Sequence, residues 1–258
     1  MNRVQNAPDF AKYGFLYPHN LIQAFVGGSQ LHGAKVEGTD DTDWYGVYIE
    51  PPDKMIGLDR NEFFVFTTGG KEGGNGPADV DVCLYTLRKW AGMAAKGNPS
   101  ALHFVFAVQA FSTDWWTRVR ESRDLFSSKM HLTPFLKFAD DQMERLCGRK
   151  GQKNIHRAEL EKAHGYDTKY AMHVIRLYLE ATEYMQTGNI TLPNPKVDLL
   201  IAIRNGKYKR SEIEEIGKQL KTDAIKAQAK SPLPDSVDLA GVSELITQTY
   251  LDFWNAKG

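Results

Sequence analysis

Short apolar runs broken by Gly, Pro and Asp fill the first part of the chain, and longer segments with apolar residues three and four apart fill the rest. The short runs predict β-strands at Leu21 to Val26, Trp44 to Glu50, Phe63 to Thr67 and Val80 to Tyr85. The texture changes near residue 110. Thr133-Pro134 opens a helix with proline in its first turn and an apolar stripe of Phe135, Phe138, Met143 and Leu146. A second helix runs from about Asp167 to Gln186, with Ala171, Met172, Ile175, Tyr178 and Leu179 at helical spacing, and stops at Gly188. Two more cover about 210 to 229 and 239 to 255, joined by SPLPDS. The pattern has no internal repeat. It predicts an α+β chain, with a small mixed-sheet core over residues 1–110 and an all-helical domain over 111–258.

The stretch VGGSQLHGAKVEGTDDTDWYGVYIE, residues 26 to 50, carries the clearest chemistry. Asp41 and Asp43 alternate with Thr42 and Trp44, so on a strand both carboxylates leave the same face. Such a pair suits a hard divalent cation, because magnesium takes oxygen ligands and is usually held by one or two carboxylates together with substrate phosphates. The turn at Gly28-Ser29 offers backbone N–H groups and a hydroxyl where those phosphates would lie. Taken alone, an aspartate pair at a strand entrance is more often a turn or a helix cap. Asp79 and Asp81 share a face of their own strand, so alternation cannot choose between them as a third acid. Lys169, His173 and Arg176 stand at i, i+4 and i+7, on one helical stripe opposite the apolar one.

Glycine-serine, a spacer and Asp-x-Asp in that order resemble the active-site signature of the DNA polymerase β-type nucleotidyltransferase superfamily. The longer TDDTDWYGVYIEPP is similar to the form in its YcgL-like, RNA-repair-associated branch. Further segments match in chain order: Asp81-Val82-Cys83-Leu84-Tyr85, LRKW, Lys96-Gly97-Asn98-Pro99, Lys169 to Leu177, and Thr187-Gly188-Asn189-Ile190. The likeness covers roughly residues 20 to 205 and departs at Tyr45, where the family often has a basic residue, and in the Gly-rich insert at 69 to 77.

The resemblance implies a polymerase β-like palm and transfer of a nucleoside monophosphate from an NTP, with ATP a candidate, to an acceptor hydroxyl, with pyrophosphate leaving. It implies Asp41, Asp43 and Asp81 as catalytic residues and ligands of Mg2+ or Mn2+, with Asp81 favoured over Asp79 by the family register. Gly28, Ser29, Lys169, His173 and Arg176 would bind the NTP, although Arg176 either forks two phosphate oxygens or pairs with a core carboxylate. The implied acceptor is an RNA 3′ end, a tRNA among the candidates. Nucleotide transfer to a protein or small-molecule hydroxyl, and a non-catalytic nucleotide-binding module, are the alternatives.

Composition narrows the partners. Thirty-two basic residues balance 32 acidic ones, so nucleic acid has to be met by a local patch. The run holding Arg145, Arg149, Lys150, Lys153 and Arg157 contains no acidic residue and is either that patch or a solvated loop. With 42% hydrophobic residues in 258, a sizeable core is expected. Cys83 and Cys147 lack metal-ligand or disulfide spacing, MNRVQNAPDF lacks the apolar core of a signal peptide, and no apolar run approaches transmembrane length. A cytoplasmic protein is the expectation. The remaining features read as structural: Trp115-Trp116 as packing of the helical half, KEGGNGP at 71 to 77 as a hairpin tip, and Asn98-Pro99 as a helix stop and turn.

Overall fold

The computed structural model describes residues 7–35, 41–69, 78–149 and 158–257. The strands are β1 (Leu21–Val26), β2 (Thr42–Tyr48), β3 (Phe63–Thr67), β4 (Val80–Thr86) and the two-residue β5 (Phe111–Ser112), ordered β3-β4-β2-β1-β5 in one sheet. Only β2 and β4 are parallel among these pairings. One turn of helix, α1 (Gly28–Leu31), follows β1; α2 (Pro52–Ile56) follows β2; α3 (Leu87–Ala95) and α4 (Pro99–Phe106) follow β4. The later helices are α5 (Asp114–Glu121), α6 (Leu132–Leu146), α7 (Ala158–His164), α8 (Thr168–Thr187), α9 (Val197–Arg204), α10 (Arg210–Ala229) and α11 (Leu239–Asn255). A mixed sheet followed by packed helices is the α+β arrangement that the apolar pattern predicts.

Alternation along the strands sorts the sheet into two faces. Leu21, Ala24, Tyr48, Val82 and Leu84 pack with Phe10 and Phe15 from the segment before β1, while Val47 and Ile49 join the large core under the helices. On β2, Asp43 and Tyr45 share Val47's parity, and the register sets Asp81 beside Asp43 and Cys83 beside Tyr45. The helix-facing side of the sheet therefore carries an acidic end and an apolar end. Strand β2 begins two residues earlier than the apolar run suggests, because Thr42 donates its N–H to the Asp79 carbonyl at 2.9 Å and pairing with β4 starts there.

At the centre of the helical layer lies α8, with α6, α9 and α10 packed against it. Asp167 caps it by accepting from the N–H groups of Lys169 and Tyr170, satisfying two of the donors that a helix start leaves open. Because other helices surround it, α8 has no broad solvated face: Val174, Tyr178, Glu180, Ala181 and Tyr184 are all buried. Helix α11 returns to the sheet, where Tyr250 donates to Glu50 at 2.6 Å and Trp254 donates to the Glu50 carbonyl at 3.0 Å.

Three expectations need adjustment. Asn98-Pro99 does follow a helix end and a turn, but it also opens α4: the Asn98 side chain accepts from the Ala101 N–H, and Pro99 sits at the first helical position. Phe138 is 44% exposed instead of belonging to the core stripe. Trp115 packs edge-on to Phe253 of α11 as expected, whereas Trp116 is fully buried against Trp90 of α3, on the sheet side of the change in texture. Both cysteines are free thiols. No described helix is long and apolar enough to cross a membrane. The hairpin-tip reading of 71 to 77 lies outside the described residues.

Candidate active site

The acidic wall of the site is set by backbone register. Asp43 and Asp81 are direct partners in the parallel β2/β4 pairing, and Asp41 precedes Asp43 on the same face. Carboxylate oxygens of Asp41, Asp43 and Asp81 all lie within 4.8 Å of one another. Asp79 is held differently: the Thr68 hydroxyl donates to it at 2.8 Å, and it is not in that cluster. The geometry thus places Asp81, and not Asp79, with the Asp-x-Asp pair. Three carboxylates with no nitrogen or sulfur donor among them form the ligand set of a hard ion such as Mg2+ or Mn2+, so the residues present fit that metal.

The glycine-serine turn folds directly onto this wall. Gly27 donates its N–H to the Asp43 carbonyl at 2.7 Å. Gly28 has φ +58°, and a Cβ there would stand 1.8 Å from the Asp43 carboxylate. Both conformation and space demand glycine. A Cβ on Gly27 would fall 2.3 Å from the Tyr45 ring, which itself stacks on Phe25 with centroids 5.7 Å apart. Burial, with the Asp43 charge nearby, pushes the Tyr45 hydroxyl far above its ordinary range, so it stays protonated.

The opposite wall is the stripe on α8. Lys169, His173 and Arg176 line one cleft of about 420 Å³ together with Gly28, Ser29, Asp41 and Asp43. These seven of the eight expected residues are brought together, and Asp81 joins through the carboxylate cluster. The stripe ends on a residue that the sequence reading passed over. Arg176 donates from Nη1 to both oxygens of Glu180 at 2.9 and 3.1 Å, and Nε2 of His103 donates to Glu180 at 3.0 Å. Nδ1 of His32 lies 3.2 Å from the same carboxylate, at an angle too oblique for a good hydrogen bond. Burial alone would push the Glu180 carboxyl up; Arg176 and the hydrogen-bonded His103 outweigh it and hold the group well below the usual range. Burial and the Arg176 charge lower His32 to about 3.

The core-carboxylate alternative for Arg176 is therefore realised. An Arg and a Glu at i and i+4 were the available signal for Glu180. His32 and His103 had none, since they meet it only through the tertiary fold. Phe104, Phe138 and Gln142 also line the cleft without having been expected there. In the basic run, Arg149 pairs with Glu144 through two hydrogen bonds of 3.0 and 2.9 Å, and Lys150, Lys153 and Arg157 lie outside the described residues.

Carboxylates paired across parallel strands, beside a glycine-serine turn, are the arrangement of polymerase β-like nucleotidyltransferases, and this chain is of that class. It belongs to the RNA repair pathway DNA polymerase beta family, which it matches over residues 3–234. Among solved structures it is similar to a nucleotidyltransferase-like protein from Exiguobacterium sibiricum, at 10% identity and a TM-score of 0.32, covering 95% of this chain and 75% of that one. No curated protein matches it.

Proposed function

We propose that the protein transfers a nucleoside monophosphate from an NTP to the 3′ hydroxyl of an RNA and releases pyrophosphate. The observation that carries the reading is the meeting, across one cleft, of the Asp41, Asp43 and Asp81 carboxylates with the Lys169, His173 and Arg176 stripe. In this reading Asp41 and Asp43 would hold a divalent ion that serves the triphosphate, and Asp81 with them would hold one that serves the attacking hydroxyl. When bound, the ions neutralise phosphate charge and lower the pKa of that hydroxyl. Gly28 and Ser29 receive the β and γ phosphates through backbone and hydroxyl, and Lys169 and Arg176 set positive charge against them. Displacement at the α-phosphorus then depends on alignment and charge neutralisation, with no covalent intermediate on the protein. Family membership favours RNA as acceptor.

The test is incubation of the purified protein with each labelled NTP, magnesium and total RNA, followed by separation of RNA, protein and small-molecule fractions. Label at RNA 3′ ends is the expected result. Label in the protein or metabolite fraction would keep the chemistry and replace the acceptor; no labelling with any NTP would leave a nucleotide-binding module.

A further inference from the structure

Glu180 is a fully buried carboxylate behind Arg176, His103 and His32, which line the cleft, and these three partners of it are all basic. An arginine facing a carboxylate usually spends two nitrogens on it, in a fork. Arg176 spends one: Nη1 spans both Glu180 oxygens, and Nε is buried without an acceptor although the side chain lines the cleft. A buried charged donor left unmatched is costly, and a small outward shift of the guanidinium onto an anion in the cleft would remove that cost. His103 holds the far side of the same carboxylate, so Glu180 cannot follow Arg176 outwards without breaking a second hydrogen bond.

We infer that Glu180 is a positioning residue for the nucleotide: gripped by His103 and flanked by His32, it anchors Arg176 by one nitrogen and leaves the rest of the guanidinium for the triphosphate. This rests on the reading that Arg176 meets phosphate. A metal site is the other use of two histidines and a glutamate whose ligand atoms lie within 4.8 Å of one another. The guanidinium already on both Glu180 oxygens opposes it, because a cation there would have to displace Arg176.

The experiment is a double-mutant cycle on NTP affinity, measured by calorimetry with magnesium and each NTP, using Arg176→Gln, Glu180→Gln and the pair. Glu180→Gln keeps the shape, removes the charge, and is expected to weaken NTP binding roughly ten- to hundredfold, the range for a lost hydrogen bond to a charged group. In the Arg176→Gln background it should cost nothing more. Glu180→Asp, which keeps the charge and draws its oxygens back by one methylene, runs the same cycle should the amide variant not fold; its loss should be smaller and should vanish in the same background. Steady-state kinetics should show the effect in KM more than in kcat. Additive losses would reduce Glu180 to a fold-stabilising role and overturn the inference while leaving Arg176 as a phosphate ligand. Unchanged NTP affinity in Arg176→Gln would overturn the inference together with the reading beneath it. Stoichiometric zinc in the purified wild-type protein, absent from Glu180→Gln, would also overturn it.

Discussion

The two walls of the cleft are built by different means. On the sheet wall, Asp43 and Asp81 stand together because β2 and β4 run parallel and in register, and main-chain hydrogen bonds place their side chains. On the helix wall, Arg176 is placed by another side chain, Glu180, which is held in turn by His103. The first wall gathers three carboxylates within 4.8 Å, a crowding that a bound cation would relieve. On the second, the Arg176 charge is offset by Glu180. Substitutions on the sheet wall should therefore cost activity without stability, and those on the helix wall should cost some of each.

The largest effect is expected at Asp43. Asp43→Asn should lower turnover by roughly 10²- to 10³-fold or more, as removal of a transition-state charge clamp does. Without divalent ions its melting temperature should equal or exceed that of the wild type, because one of three crowded charges is gone. Magnesium should raise the wild-type melting temperature and leave the variant's almost unmoved. Gly28→Ala should share the loss of activity, since its Cβ would overlap the Asp43 carboxylate. Turnover and thermal melts with and without magnesium decide it; a fully active Asp43→Asn removes the sheet wall from the chemistry.

Next in size is the contrast between Asp81 and Asp79. Asp81→Asn should lose turnover by roughly 10²-fold or more while NTP still binds, because the triphosphate ion keeps Asp41 and Asp43. Asp79→Asn keeps an oxygen that can accept the exposed hydrogen bond from Thr68 and should stay within about 0.5 kcal/mol of wild-type stability with normal activity. The reverse ranking would mean that register does not choose the third ligand.

The same division governs what was legible in the sequence. Strands β1 and β3, and helices α10 and α11, match the bounds read from the sequence, because a short apolar run closed by turn residues, or helical spacing between loops, is a local signal. The Asp-x-Asp pair and the glycine-serine turn were readable because backbone geometry acts over a few residues. Neither β5 nor the anchor beneath Arg176 could be read so directly. Phe111–Ser112 is too short for a period and exists only because Ala24 and Gln23 offer it an edge. His32 and His103 meet Glu180 across 148 and 77 residues of chain. Phe138 looked like core because it shares a helical stripe with Phe135, but it comes to line the cleft. Position in a stripe fixes direction and does not say what lies there.

A smaller effect, on the helix wall, is pH-dependent stability. His32 falls from 6.5 to about 3 on folding, so between those values the unfolded chain binds a proton that the folded chain refuses. Stability must then fall as pH drops through that window, by about 2 kcal/mol at pH 5 from this group alone. His131, lowered by its own burial, adds to the slope in the same direction. The depressed Glu180 acts lower, its contribution being lost only as pH falls below about 4.5 towards its folded value. Urea unfolding at pH 7.5 and pH 5 should therefore show a loss that is clearly smaller in His32→Gln. Equal losses in the two proteins would mean that His32 titrates normally.

The smallest expected effect lies outside both walls, in the basic run after α6. If RNA docks there, each cation that neutralises a phosphate of a single strand should add about 0.7 to the slope of log affinity against log salt. Arg149 is already paired with Glu144 at 2.9 Å, so freeing it for phosphate breaks an ion pair, and Arg149→Ala should change the slope less than Lys150→Ala or Lys153→Ala. The triple replacement should flatten the slope by up to about 2 while NTP affinity stays constant, because the triphosphate is read by the cleft and not by this segment. Acceptor labelling over a salt series, run with both proteins, makes the comparison. Coincident curves would deprive an RNA acceptor of this surface and move transfer to a protein or small-molecule hydroxyl ahead, with the two walls of the cleft doing the same chemistry on a different partner.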